Sequence, residues 1–425
     1  MTFALGTVFL LAFIALGIPI GFALGLAGIA SLALLVPIDS ILALMTKVVH
    51  VTIGNYLFLT IPMFVLMAEF LSTGQVAEDL LLACNRLLRK VRGGMAMAVI
   101  LAGAVHAAVT GSSTASAASL SRASFPAMRR AGYSPSFAVG TIAIAGTLAV
   151  MVPPSVAFIL YGLMTETSIG KLFIAGIIPG VITAVGYIVT ISLVLWLKPS
   201  LGPDPQREME IAGAGERGAV WPIVLLIAVI LGGLYTGVAT PTEISAIGAL
   251  GALLVSLGLR RMTRPGFVHA VTGTLRITAM IMTIIFSAHL FGYFISFSRI
   301  TDTMLQWIAA ADLAPTAVML LVVLLYLILG MFMDQAAIII LTAPITTPLM
   351  VGLGYDPVWW GVIIIKTAEI GLVSPPLGLV TFVVSSSSRT DLRSSFIGVS
   401  PYIATELVLL GLLIAYPQIS LYLVN

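Results

Sequence analysis

The amino-acid sequence predicts an all-α polytopic membrane protein that consists of two inverted repeats. Of its 425 residues, 60% are hydrophobic and only 9% are charged, with a mean hydropathy of +1.14. A soluble protein carries roughly 25% charged residues, so lipid must cover most of this chain's surface. Apolar stretches of about 20 residues, the length that spans a bilayer, recur from end to end. The third observation is an internal repeat.

Rare residues of the first half recur 222 residues later without a gap: Pro126 and Pro348, Gly132 and Gly354, Tyr133 and Tyr355, Pro135 and Pro357, Pro154 and Pro376. A general excess of apolar residues would match leucine and alanine at any spacing, but not proline and tyrosine at a single one. The sequence therefore predicts one repeat at 1–197, a cytoplasmic linker at 198–219, and a second repeat at 220–425.

Each repeat is predicted to hold five membrane spans, which gives about ten transmembrane helices plus two re-entrant hairpins. The hairpins are expected at 93–131 and 315–353, and one span per repeat, 136–162 and 357–382, is expected to be a broken helix. The stretch 3–36 is interpreted as two helices with a tight turn at Gly17-Ile-Pro19, and one bent helix is the alternative. The amphipathic stretch Ala77 to Arg92 is typical of an interfacial helix.

Charge placement predicts the orientation, since Lys and Arg collect in cytoplasmic loops. Basic clusters flank the first hairpin and the second broken helix: Arg86, Arg89, Lys90, Arg92, Arg129, Arg130, Arg389 and Arg393. The second hairpin lies among Asp302, Asp312 and Asp356, which places it on the opposite face. The net charge of +3 therefore indicates topology rather than a nucleic-acid partner. The single Cys84 excludes internal disulfides.

Four helix interruptions are the candidate sites, because broken backbone at membrane depth must face protein or water. Inverted repeats with broken helices are typical of secondary transporters. The first hairpin tip reads Thr110-Gly-Ser-Ser-Thr114, whose carbonyl and hydroxyl oxygens suit a hard cation such as sodium. Its helix N-terminus would suit a carboxylate. Close packing of small residues is the alternative explanation.

The first broken helix carries Gly146-Thr147 and then Pro153-Pro154-Ser155. Two adjacent prolines remove two amide donors and unwind the helix, which frees carbonyl groups. A purely structural kink is the alternative.

The repeat mates are the second tip, with Asp334, and the second break, Thr367 to Pro376. A carboxylate inside a membrane segment is a functional candidate. Asp334 could bind sodium, carry a proton, or cap the helix that follows. Lys366 and Glu369, three residues apart, are expected to form a mainly structural ion pair.

As a set, Thr110-Gly-Ser-Ser113, Gly132-Tyr133, Val152-Pro-Pro-Ser155, Met333-Asp334 and the run from Glu369 to Gly378 resemble one family. It is the large membrane subunit of the tripartite ATP-independent periplasmic (TRAP) transporters, and the resemblance covers essentially the whole chain. It implies a sodium-coupled importer of an organic acid in the bacterial inner membrane. It also implies an elevator motion, a small four-helix membrane subunit and a periplasmic substrate-binding protein as partners.

Together, the interruptions and the resemblance give two sets of expected site residues. The expected sodium ligands, for two or more ions, are Gly111, Ser112, Ser113, Gly146, Thr147, Pro153, Asp334, Thr367, Gly371 and Pro375. The expected contacts to a carboxylate substrate are Ser112, Ser113, Pro154, Ser155, Asp334, Ser374 and Pro376. No organic cofactor is expected.

Two other functions fit the same pattern. One is a self-sufficient sodium/carboxylate symporter of related fold, and the other is an ion channel. An intramembrane enzyme is disfavoured, because the sequence offers no nucleophile–base or metal-binding set. The sequence does not indicate which organic acid would be carried.

Overall fold

Short turns join α-helices throughout residues 2–214 and 221–424, which are the residues described by the computed structural model. A helix satisfies its backbone hydrogen bonds internally, as an apolar environment requires. The helices of the first half are α1 (Thr2–Ala15), α2 (Ile20–Leu32), α3 (Ile38–Gly54), α4 (Thr60–Thr73), α5 (Val76–Leu88), α6 (Gly94–Thr110), α7 (Ser113–Arg130), α8 (Pro135–Met151), α9 (Val156–Thr165) and α10 (Ile169–Leu197). The linker contains α11 (Pro205–Ala214).

The second half follows the same order. Its helices are α12 (Trp221–Tyr235), α13 (Pro241–Gly258), α14 (Arg264–Ser298), α15 (Ile300–Ala310), α16 (Pro315–Gly330), α17 (Gln335–Gly352), α18 (Pro357–Val373), α19 (Leu379–Ser388), α20 (Leu392–Ala415) and α21 (Gln418–Leu421). Shifted by 222 residues, α7 and α8 coincide with α17 and α18 at both ends.

Within the described residues, seven helical stretches are long and apolar enough to cross a membrane: Tyr56–Thr73, Pro135–Thr165, Ile169–Leu197, Pro241–Gly258, Arg264–Ser298, Gln335–Gly352 and Leu392–Ala415. Shorter apolar helices, including α12 and α16, accompany them. The predicted all-helical, multi-spanning fold is therefore confirmed. The turn at Gly17, which separates α1 from α2, is also found.

The structure departs from the expected elements in a few places. It contains α3 and α11, which the sequence analysis does not predict, because charged residues interrupt their apolar pattern. At the first tip only Gly111 and Ser112 lie outside helices, since α7 begins at Ser113. The second broken helix continues to Ser388 rather than ending at residue 382.

Matched caps start the two broken helices. Ser134 accepts a hydrogen bond from the Phe137 backbone N–H at 3.3 Å, and Asp356 accepts from Val358 N–H at 2.8 Å. A proline follows each cap, where its missing N–H has no cost. Both helices then break at their proline pairs, which have cis peptide bonds. The predicted interruptions at Pro153-Pro154 and Pro375-Pro376 are therefore confirmed.

The linker is attached to the base of the first hairpin. The Glu208 carboxylate, 4% exposed, accepts hydrogen bonds from the Tyr133 hydroxyl at 2.6 Å and from the Met95 backbone N–H at 2.8 Å. Met95 lies in the first turn of α6, where an acidic group is favoured by the helix dipole. Burial and the adjacent Glu208 raise the pKa of Tyr133, so its hydroxyl stays a donor.

A buried charge cluster joins α10, α18 and α20. The Lys366 ammonium lies 3.1 Å from Glu369 Oε2 and 2.6 Å from Glu406 Oε2, and all three side chains have no exposed surface. It also donates to the Thr183 hydroxyl at 2.9 Å, and Tyr187 donates to Glu406. The expected pair of Lys366 and Glu369 is confirmed, but the sequence alone does not reveal Glu406 as its second partner.

The helices α8 and α20 cross with their backbones in contact. A methyl group at Gly140 would overlap the Gly398 carbonyl, and one at Gly398 would overlap the Ser136 carbonyl. Both obstacles are backbone atoms, which cannot turn aside as a flexible side chain would. This crossing holds the first broken helix against the second half of the chain.

We expect Gly398→Ala to destabilise the protein by about 1–3 kcal/mol, the usual cost of overpacking. Gly411→Ala is the matched control, because Gly411 lies on the same helix with no atom near its added methyl group. Thermal unfolding of the detergent-solubilised protein measures both variants. Equal midpoints for the two variants would contradict the close crossing.

We expect Lys366→Met to destabilise the protein by about 3–5 kcal/mol, because it leaves two buried carboxylates without their cation. Glu406→Gln should cost less, since Lys366 keeps Glu369 and Thr183 as partners. Lys171→Met, at an exposed lysine on α10, controls for the loss of one charge. Thermal unfolding midpoints measure all three variants. If Lys366→Met has the same midpoint as Lys171→Met, the prediction is wrong.

Candidate functional site

A cavity of about 900 Å³ lies where both hairpin tips meet the helices α2, α4 and α14. The first tip contributes Gly111, Ser112 and Ser113, and the second contributes Asp334 and Gln335. The cavity wall also includes Val156, just beyond the first break, and Leu372, just before the second. The two tips, 222 residues apart in sequence, therefore face one shared space.

Gly111 allows the first tip to lie against the first break. Its backbone is left-handed, with φ +59°, and a methyl group there would lie 2.9 Å from Val156 Cγ2. A side chain would therefore be both strained and crowded. This close approach positions Ser112 and Ser113 at the junction of α7 and α9.

Buried hydroxyls without protein partners mark the same junction. Ser113 Oγ and Ser155 Oγ are both buried, and neither makes a hydrogen bond within the described protein. A separate void of about 10 Å³ is lined by Gly111, Pro154 and Ser155 among others. That is close to the space one water molecule needs. Buried polar atoms normally have a partner, so this void suits a small ligand.

The remaining residues assigned to the first ion site serve other contacts. Thr147 donates its hydroxyl hydrogen to the Ile144 carbonyl at 2.8 Å, and its oxygen lies 3.5 Å from the Tyr187 hydroxyl. Gly146 allows α8 to approach Ala117 of α7, where an added methyl group would lie 2.5 Å from Ala117 Cβ. Pro153, Gly146 and Thr147 do not line the large cavity.

At the second tip, Asp334 caps α17. Its carboxylate accepts a hydrogen bond from the Ala336 backbone N–H at 3.0 Å while it lines the cavity. The capping role that the sequence left open is therefore present, and it holds the carboxylate at the cavity wall. The neighbouring Gln335 is buried and donates to the Ile365 carbonyl at 3.3 Å, which ties this tip to α18.

The second break contributes little to the cavity. Thr367 and Ser374 donate their hydroxyl hydrogens to carbonyls of their own helix, at 2.7 Å each. Gly371 allows α18 to approach Gly330 of α16, so close packing of the two helices explains the glycine at this position. Pro375 and Pro376 line a different groove, beside Phe396 and Arg393. The structure does not bring these residues together with the first tip.

Arg122 is a cavity residue that the sequence analysis did not single out. It is the single Lys or Arg among the described residues that line the cavity, whereas Glu69 and Asp334 are the carboxylates. Arg122 lies on the same face of α7 as Ala115, Ala118 and Ser119, which also line the cavity. These residues are spaced three or four apart, as on one face of a helix that begins at the first tip. That spacing is the sequence signal that could have identified Arg122.

The arrangement favours an anionic ligand beside the tips. The first turns of α7 and α17 both lie at the cavity wall, and helix N-termini attract negative charge; the Asp334 carboxylate already caps α17, which leaves the N-terminus of α7 for a ligand. Arg122 adds a fixed positive charge further along α7. Within the described residues no group of three or more His, Cys, Asp or Glu side chains is placed to hold a metal ion.

Comparison with known proteins gives consistent matches along the chain. Residues 7–419 match the family model described as tripartite ATP-independent periplasmic transporter, DctM component. The C4-dicarboxylate TRAP transporter large permease protein DctM of Pseudomonas aeruginosa is 37% identical over 403 residues, which are 95% of this chain and 93% of that protein. The isethionate TRAP transporter permease protein DctMQ of Oleidesulfovibrio alaskensis is 30% identical, over 96% of this chain and 64% of that protein.

A solved structure supports the fold independently. The YdaH transporter of Alcanivorax borkumensis aligns with a TM-score of 0.67 and 17% identity, over 98% of this chain and 99% of that one. At this identity the likeness shows the fold alone. The family match and the identity of the relatives carry the assignment: this chain is a multi-pass membrane protein of the DctM family, the large permease component of TRAP transporters, and not an enzyme.

Proposed function

We propose that this protein is the transport subunit of a sodium-coupled importer of an organic acid, located in the bacterial inner membrane. The cavity shared by both hairpin tips carries the proposal, because it places hydroxyls, two helix N-termini and Arg122 around one space. A carboxylate beside the first tip would meet the N-terminus of α7 and Arg122, whereas the N-terminus of α17 is already capped by Asp334. A fixed channel would not require breaks at matched positions in two repeats.

The names of the relatives favour an anionic substrate. The P. aeruginosa relative is named for C4-dicarboxylates and the O. alaskensis relative for isethionate, both organic anions. In this chain, Arg122 is the residue that would pair with the anionic group. An arginine can donate two parallel hydrogen bonds to a carboxylate, which fixes its orientation.

Sodium is proposed to bind near the first tip and the first break. The void beside Gly111, Pro154 and Ser155 and the unpartnered Ser113 and Ser155 hydroxyls support this location. Sodium there would bring a positive charge close to the substrate. Substrate and ion would then bind more tightly together than apart, which is the basis of coupling.

The proposal includes two partners, a small four-helix membrane subunit and a periplasmic substrate-binding protein. The DctMQ relative supports the first, because about a third of its length lies beyond the part that matches this chain. The matched bounds of α7–α8 and α17–α18 support an internal repeat, and the charge placement supports the inversion of its second copy. In an elevator motion, the hairpins and broken helices would move together against the remaining spans.

We expect Arg122→Gln to weaken substrate binding about 10- to 100-fold, the loss of charged hydrogen bonds worth about 1.5–3 kcal/mol. The assay is sodium-driven uptake into vesicles that contain the protein with both partners, using a panel of organic anions that starts with C4-dicarboxylates. The expected change is a raised KM. Arg130→Gln is the control, since Arg130 lies on the same helix outside the cavity. Equal KM values for the two variants would exclude Arg122 from the site.

We expect Asp334→Ala, and Ser112→Ala combined with Ser113→Ala, to abolish sodium-driven uptake without blocking membrane insertion. The serine pair should also remove the rise in unfolding temperature that sodium, but not choline, gives the wild-type protein. Ser119→Ala, elsewhere on the cavity wall, is the control. If the tip variants keep sodium-dependent uptake and stabilisation, sodium binds elsewhere.

A further inference from the structure

A second polar groove lies outside the cavity, where the ends of α7, α8, α19 and α20 meet. Its volume is about 430 Å³, and it shares no lining residue with the large cavity. Its lining residues are Phe125, Arg129, Pro135, Ser136, Ser388, Arg389, Thr390 and Ser394. We call it the Arg129–Arg389 groove. It joins the two halves of the chain, since half of these residues come from each.

The groove concentrates positive charge that no protein carboxylate balances. Arg129 and Arg389 both line it, no Asp or Glu does, and within the described residues neither arginine forms a salt bridge. The nearby Asp391 is engaged at the start of α20, where it accepts from the Ser394 backbone N–H at 3.1 Å and from its hydroxyl at 3.3 Å. Two guanidinium groups are therefore available to an external anion.

Some of the donors around the groove are already held in place. Arg129 donates through Nη1 to the Tyr133 carbonyl, which fixes its guanidinium group at the groove wall and leaves other N–H groups free. Ser388 donates to the Val384 carbonyl at 2.7 Å and lies 3.1 Å from the Thr390 hydroxyl. Because the single Ser388 hydrogen is already donated to Val384, the Thr390 hydroxyl keeps its own hydrogen, which it can donate to Ser388 or into the groove.

Two guanidinium groups with neighbouring hydroxyls match the chemistry of a phosphate group. Arginine binds phosphate oxygens through paired N–H groups, and hydroxyls occupy the remaining oxygens. The volume exceeds that of a bare ion, since a water molecule occupies only about 30 Å³ of liquid. A phosphate ester with an attached polar group would therefore fit.

The position of the groove agrees with such a ligand. It lies at the helix ends that carry the basic clusters, the predicted cytoplasmic surface. Basic pockets between membrane helices on that side bind the headgroups of anionic lipids. Phe382, on the same helix α19 six residues before Ser388, is 54% exposed and offers an apolar surface of the kind that contacts acyl chains.

We propose that the Arg129–Arg389 groove binds the phosphate group of an anionic ligand and thereby links the two broken-helix units. Arg129 lies in the last turn of α7, the helix that precedes α8, and Arg389 lies at the C-terminal end of α19. A phosphate held by both arginines stabilises the arrangement in which these units are together. The same chemistry is supplied by a phospholipid headgroup or by a soluble phosphate compound.

The test measures ligand-induced thermal stabilisation of the detergent-solubilised protein, which does not depend on transport activity. Phosphatidylglycerol and phosphatidylcholine in mixed micelles, and inorganic phosphate at constant ionic strength, are the three probes. We expect phosphatidylglycerol to stabilise the wild-type protein and phosphatidylcholine to have no such effect. Stabilisation by inorganic phosphate with none by phosphatidylglycerol would assign the groove to a soluble phosphate compound.

The variant Arg129→Gln/Arg389→Gln should need at least about tenfold more phosphatidylglycerol for the same stabilisation. Its control is Arg130→Gln/Arg393→Gln, which has the same net charge and leaves the groove lining intact. If both double variants lose the stabilisation by phosphatidylglycerol equally, general surface charge explains the binding and the proposal fails. The proposal also fails if neither phosphatidylglycerol nor inorganic phosphate stabilises the wild-type protein.

A third variant guards against misfolding of the glutamine pair. Arg129→Lys/Arg389→Lys keeps both charges but cannot donate paired hydrogen bonds to one phosphate. We expect an intermediate affinity for phosphatidylglycerol. An affinity equal to that of the wild-type protein would overturn the assignment of a phosphate held by two guanidinium groups.

Discussion

The structure depends on one constraint: a backbone that leaves the helical conformation among apolar segments must find its polar partners within the protein or in enclosed water. The first tip and the first break meet this requirement together, because the left-handed Gly111 allows them to lie in contact. At the second tip the Asp334 carboxylate supplies the partner for a free N–H group. Close approach of main chains therefore determines where the protein can expose oxygen atoms to a ligand.

The two halves share their helix order but use their breaks differently. The first break lies beside the cavity and encloses a small void with the first tip. The second break turns its prolines to a separate groove, and its Thr367 and Ser374 hydroxyls bond to their own helix. The breaks therefore lie at equivalent positions in the two halves, whereas the neighbouring side chains decide what each break contacts. Equivalent sequence positions need not make equivalent sites.

Local chemistry explains which features could be predicted from the sequence. Adjacent prolines and glycine-rich tips interrupt helices wherever they occur, so the hairpins and both breaks were predictable. Contacts between distant segments were not. Glu406 meets Lys366 across 40 residues, and Glu208 meets Met95 across 113. Arg122 was overlooked because a single arginine in the middle of α7 gives no local sign of what it faces, and only the folded chain shows that it lines the cavity.

The buried charge cluster and the charged residues of the cavity differ in whether the fold compensates their charges. Lys366, Glu369 and Glu406 are fully buried, and the one ammonium is paired with both carboxylates, so the charge of Lys366 is compensated within the fold. Arg122, Glu69 and Asp334 line the cavity, where water or a ligand can reach them. A charge that the fold already compensates has little free energy to offer a ligand, whereas one held at a cavity wall can exchange water for a partner. We therefore propose the cavity, rather than the more densely charged cluster, as the place where substrate binds.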